Sequence, residues 1–117
     1  MATFSKQLLS GSTNGKAIKV AQTATAGTTI HTAVSGTASF DEVWLYAHNS
    51  SSVAVKLTLE WGEATAPDGN IEINVGAEGT GLVLIAPGIL LQNSLVIKAF
   101  AATTNVITLT GYVNRIS

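Results

Sequence analysis

Apolar and polar residues alternate with period two through most of the chain after Asp41, which is the pattern of strands with one covered face. Val53, Val55, Leu57, Leu59 and Trp61 share one parity, with Ala54, Lys56, Thr58 and Glu60 on the other. Before them, Val43, Leu45 and Ala47 alternate with Trp44, Tyr46 and His48, so both faces of that strand are bulky and both are expected to touch protein. Further alternation runs through Ile71, Ile73 and Val75, through Leu95, Ile97 and Ala99, and through Ile107, Leu109, Gly111 and Val113. The face carrying Thr108, Thr110 and Tyr112 reads as solvated. Asn14-Gly15, Asp68-Gly69 and Pro87-Gly88 punctuate these runs as turn signals.

The pattern predicts about eight strands, near 16 to 20, 28 to 34, 41 to 48, 52 to 61, 70 to 75, 81 to 86, 94 to 100 and 105 to 114. No segment has a helical period of useful length, so crossover helices for a parallel sheet are missing. The expected fold is all-β, an antiparallel β-sandwich or jelly roll. Residues 16–117 are expected to form its single domain, behind an N-terminal arm over 1–15. Within the arm Phe4, Leu8 and Leu9 are apolar, and Gly11 limits the segment to one helical turn at most.

Composition narrows the function. The chain has 117 residues, 11% of them charged, against about 25% in an average soluble protein. Hydroxyls and amides replace the charges, with 15 Thr, 10 Ser, 7 Asn and 3 Gln. A net charge of −1 with six scattered cations provides no footprint for nucleic acid. The densest apolar stretch, 81–91, is broken by Pro87 and Gly88, so no membrane span is expected despite a mean hydropathy of +0.37. The N-terminus lacks the apolar core of a secretory signal. There is no cysteine, hence no disulfide and no thiolate chemistry.

Catalytic candidates are few. His31 sits among threonines, where a hydrogen-bonded structural role is the expectation. His48 precedes Asn49 and Ser50 and reads as a capping donor to that loop, since two histidines without metal-binding spacing make a poor ligand set. Asp41 and Glu42 are adjacent and point to opposite faces of a strand, which rules out a shared acid/base site. Glu60 and Glu63 flank Trp61-Gly62 and could form an acid/base pair across a sugar-binding tryptophan; a solvated strand end with Trp61 in the core is the simpler expectation. No cofactor and no enzyme activity are expected. Asn49-Ser50-Ser51 matches the glycosylation sequon, a signal without meaning in the absence of secretion.

Apolar residues left over on second faces, namely Trp44, Tyr46, Val83, Ile85, Val96 and Phe100, predict burial against another subunit, as a dimer or trimer, or a stacking surface. Phe4, Leu8 and Leu9 are expected to dock on a partner.

The succession DEVWLYAHNSSSVAVKLTLEWG, a polar loop, and then GLVLIAPGILLQNSLVIKAFAATTNVITLTGYVNRI resembles small virion structural proteins of tailed bacteriophages. The resemblance covers roughly residues 25–116 and rests on strand and turn patterns. It implies a non-enzymatic head-decoration, or cement, protein fixed to the outer face of the major capsid protein lattice, made in the host cytoplasm and localised to the virion. Neck, tail and fibre-associated proteins share the pattern, and a carbohydrate- or receptor-binding module using Trp44, Tyr46 and Trp61 is the alternative from another class.

Overall fold

A computed structural model describes residues 2–117 as an all-β chain of two antiparallel sheets. Nine strands form them: β1 Phe4–Leu8, β2 Ile18–Lys19, β3 Thr28–Thr32, β4 Phe40–Asn49, β5 Val55–Trp61, β6 Asn70–Val75, β7 Val83–Leu91, β8 Val96–Ala101 and β9 Ile107–Ile116. One sheet runs β1-β9-β4-β7, with β2 also paired to β9; the other runs β3-β8-β5-β6. A single turn of 3-10 helix, Glu78–Thr80, precedes β7.

The period-two rows become the core. Val43, Leu45 and Ala47 of β4, Leu57 and Leu59 of β5, Ile97 and Ala99 of β8, and Ile107, Leu109 and Val113 of β9 are fully buried and belong to one cluster. Each Val, Leu or Ile among them contributes about 1.5–3 kcal/mol of burial free energy, which is why these four strands occupy interior positions. Trp61 packs against the same core. Val53, by contrast, lies outside β5 and is 64% exposed.

The segment expected as an arm is a strand of its own sheet. Phe4 to Leu8 pair with β9 from Phe4 opposite Ile116 to Leu8 opposite Tyr112, and Thr3 and Ser117 exchange main-chain hydrogen bonds of 2.7 and 3.0 Å. Leu9 then enters the core, 1% exposed. An extended segment wins over a helical turn because β9 offers an open row of main-chain partners, whereas five residues of helix would close almost none of their own. Met1 lies outside the described residues.

Pro87-Gly88 is not a turn between strands but a bulge inside β7. The partner of β4 skips Gly88 between Val43 and Trp44, and Ile85 between Leu45 and Tyr46. Proline is tolerated because β7 is an edge strand with only β4 beside it. Gly88 takes φ +77°, and a Cβ there would stand 3.0 Å from Cζ2 of Trp44. At Gly111 a Cβ would stand 2.0 Å from the Trp44 carbonyl oxygen, so β4 and β9 approach closely only because this residue has no side chain.

Candidate functional site

Side chains on the outer side of the five-stranded sheet fall into rows fixed by strand register. Phe4, Ile116 and Phe40 form the first row. Lys6, Asn114, Glu42 and Leu90 form the second, and Leu8, Tyr112, Trp44 and Pro87 the third. Thr110, Tyr46 and Leu84 form the fourth. The apolar members are unusually open: Phe4 is 70% exposed, Leu8 57%, Leu90 51% and Leu84 46%. Exposed apolar residues thus occur in every row of the face, around a second row that is otherwise polar, and exposed apolar surface of this kind marks an interaction site.

At the centre, the rings of Trp44 and Tyr112 stack with centroids 6.3 Å apart and 14° between planes. The indole rests over Gly88. Within these four rows the charges, Lys6 and Glu42, are both partnered; Lys19 lies beyond them, level with Thr108 and His48. Lys6 Nζ sits 4.8 Å from the Tyr112 ring centre, a cation–π contact. Glu42 Oε1 accepts from Trp44 Nε1 at 2.8 Å and from Asn114 Nδ2 at 3.0 Å. The Asn114 and then the Trp44 hydrogen bond hold the Glu42 carboxyl below its ordinary range. Covering this face with a partner therefore strips few ions of unsatisfied hydration.

The structure distributes the residues expected on second faces among several environments. Trp44 and Tyr46 lie on the face just described, as do Phe4 and Leu8. Leu9 and Ile85 are core residues, and Val83 packs against the core. Val96 and Phe100 belong to the outer side of the other sheet, where alternation with buried Ile97, Ala99 and Ala101 places them. Tyr112 lies with Thr108 and Thr110 on the outer side, as expected, and there stands at the centre of the site. Leu84, Pro87, Leu90, Phe40 and Ile116 join it without having been singled out. The signal available for Tyr112 was its parity with Thr108 and Thr110 opposite Trp44 and Tyr46.

His31 and Asp41 meet in a buried cluster, 1% and 0% exposed. Ser10 N donates to His31 Nδ1 at 3.0 Å, so the ring's Nε2–H donates to Asp41 Oδ2 at 2.7 Å. Arg115 donates from Nε to Asp41 Oδ1 at 2.8 Å and from Nη2 to Oδ2 at 3.1 Å, and Val34 N adds a bond of 3.1 Å to Oδ2. Burial pushes the Asp41 carboxyl up, but the hydrogen bonds from Arg115 and His31 and the Arg115 charge outweigh it and hold the group below its ordinary value. The same contact with Asp41 raises Arg115. Histidine's second nitrogen is engaged by a main-chain N–H rather than a hydroxyl, so the cluster is a clamp joining the segment after β1 to β3, β4 and β9. It has no nucleophile.

Glu60 and Glu63 both line a shallow cavity of about 240 Å³, with Leu95, Val96 and Lys98. Glu60 is 2% exposed, and its oxygens accept from the Thr25 hydroxyl at 2.5 Å and from Gly27 N at 2.6 Å. Both oxygens are thus taken up in pinning the 25–27 loop, and the strand end at Glu60 is buried rather than solvated as expected. The loop after β4 is closed by Asn49, not by His48. Asn49 is 1% exposed, donates to the carbonyls of Val53 and Val75, and accepts from Ser51 N and Oγ. The sequon asparagine is thus closed to modification. Among the described residues no group of three His, Asp or Glu is placed to hold a metal ion, and no helix is long and apolar enough to cross a membrane.

Comparison with family models, with curated proteins and with solved structures gives no match.

Proposed function

We propose that the chain is a non-enzymatic virion structural protein, a β-sandwich of the head-decoration kind that lays the outer face of its five-stranded sheet on the major capsid protein lattice and braces the head. The observation that carries this reading is the four-row face with exposed apolar residues in every row, and with Lys6 and Glu42 as charges already partnered inside it. The resemblance of residues 25–116 to phage virion proteins supports the choice of partner. Attachment would come from distributed contact around a central aromatic pair, the arrangement in which a few buried aromatic residues dominate binding.

The test is co-sedimentation of purified protein with capsids assembled from the major capsid protein. Trp44→Ser with Tyr112→Ser is expected to weaken attachment by about 800-fold, since each central aromatic contributes about 2 kcal/mol, or about 30-fold. Thr29→Ala, on the other sheet, is expected to bind as the parent does. Equal occupancy by the parent and the double variant refutes the reading. A second reading, a sugar-binding platform, is favoured by the stacked Trp44 and Tyr112 rings on this face. Glycan-array binding lost in Trp44→Ala would replace the capsid reading with this one.

A further inference from the structure

The sheets end in strands whose outer edges are closed in different ways, and β6 is the exception. β7 carries Pro87, which has no N–H to offer, and bulges at Gly88 and Ile85. On β3, Gly11 N donates to Ile30 O at 2.9 Å and Thr32 N donates to Ser10 Oγ at 2.7 Å, so its outer edge is occupied. β1 shows Phe4, Lys6 and Leu8 on the outer side, but its inner row is Ser5 and Gln7, so an added strand would find no apolar row there that extends the core.

β6, Asn70–Val75, contains no proline or glycine and runs without a bulge against β5. Among the described residues, Ile71 to Asn74 make no main-chain hydrogen bond beyond those to β5. Ile71 and Ile73 lie against the core yet stay only partly covered. The strand's charge, Glu72, is held by Lys56 of β5 at 2.5 Å. An open row of main-chain groups beside an incompletely buried apolar row is the requirement for strand addition.

We infer that a second copy of this chain occupies this edge, with β6 pairing antiparallel to β6 of the second copy so that the four-stranded sheet continues across a two-fold axis. The strand that fits is β6 itself, because its inward row is Ile71, Ile73 and Val75 and its outward row is Asn70, Glu72 and Asn74. A two-fold perpendicular to the sheet keeps inward rows inward, which restricts the register. Centring on Glu72 sets two carboxylates opposite one another and is disfavoured. Centring on Ile71 requires Gly69, whose main chain is already bonded to Thr65 and Trp61. Centring on Ile73 sets Ile71 opposite Val75 of the second copy, Ile73 opposite Ile73 of the second copy, and Glu72 opposite the Asn74 amide of the second copy, once on each side of the axis.

Five residue pairs make a small interface, so the dimer is concentration-dependent in solution. The axis leaves both five-stranded faces pointing the same way. On a lattice the two faces then bind together with the gain that linkage provides. That benefit rests on the docking reading; the pairing does not.

The experiment is light scattering over a concentration series to about 100 μM, a range suited to small interfaces. The mass is expected to rise from 12.0 kDa towards twice that value. Asn74→Glu sets carboxylates against Glu72 on both sides of the axis and is expected to weaken the dimer by about tenfold, and Asn74→Lys to tighten it by a similar factor. Asn74 is exposed and lies opposite Lys56 of its own chain, so Asn74→Glu gains and Asn74→Lys loses about 0.2–1 kcal/mol of monomer stability, the opposite order to the expected effect on the dimer. Ile73→Cys in this cysteine-free chain is expected to cross-link on oxidation, because opposed Cα atoms about 4.5–5.5 Å apart are within disulfide reach. A 12.0 kDa mass throughout with no cross-link overturns the pairing while leaving the docking face untouched. A dimer indifferent to both Asn74 changes overturns it as well. A dimer that responds as expected but does not attach to capsids upholds the pairing and removes the docking reading.

Discussion

Replacing Asp41 by Asn tests whether the buried clamp holds the first strand to the rest of the molecule. Asp41 accepts from His31 Nε2, Val34 N and Arg115 Nη2 at Oδ2, and from Arg115 Nε at Oδ1. An amide keeps one acceptor oxygen. With that oxygen at the Oδ2 position, its NH2 group confronts the Arg115 Nε–H, and the bidentate ion pair is lost. A hydrogen bond to a charged group is worth about 1.5–3 kcal/mol. Breaking a buried pair costs about 3–5 kcal/mol, reduced here because the Arg115 side chain is 33% exposed and water can reach it. The expected loss is therefore about 3 kcal/mol, or about 12 °C in Tm for a domain of this size. Urea unfolding followed by circular dichroism should show a lower midpoint at unchanged m-value. The acid limb provides a second readout. Because the native Asp41 carboxyl is held below its ordinary 3.8, its contribution is complete above that pH and is lost as the pH falls through the lower native value. Asp41→Asn should flatten this limb, leaving the share contributed by Glu42. A variant within about 0.5 kcal/mol of the parent, with the same acid limb, would refute the clamp.

Gly111→Ala should abolish folding or lower stability by more than about 3 kcal/mol, since the new methyl would occupy the position of the Trp44 carbonyl oxygen; soluble yield and Tm check it. Deleting residues 2–12 removes β1, the Leu9 core residue and the Ser10 bond to His31, so the truncated chain should lose several kcal/mol in urea unfolding rather than merely detach from particles. Phe4→Ser with Leu8→Ser isolates the docking contribution: Tm should stay within a few degrees, because both side chains are largely exposed, while capsid attachment falls about tenfold.

Where strands are buried on one side and regular, their faces were readable from parity alone, as in β5 from Val55 to Leu59 and β9 from Ile107 to Val113. Bulges defeat that reading. Val83 and Ile85 share a parity that suggested an outer face, but the extra residues at Ile85 and Gly88 shift the register, and a one-residue shift exchanges faces. β1 was missed for a related reason. Its apolar residues point outward and its polar ones inward, so alternation is present but inverted. The clamp left a usable trace. Asp41 shares the parity of Val43 and Leu45, and Arg115 that of Val113, so both charges were due to be buried, and each needed the other.

β9 is the strand on which β1, β2 and β4 all draw for pairing, and it is synthesised after the other eight strands. Until it arrives, β1 has no partner, β4 has one open side, and Asp41 lacks Arg115. Most of the five-stranded sheet therefore assembles in a single late step that joins residues far apart in sequence, the kind of closure that is slow and exposes strand edges meanwhile. A chain interrupted before Ile107 cannot build the Trp44–Tyr112 face at all. The order of synthesis thus acts as a filter, withholding the Trp44–Tyr112 face from unfinished copies.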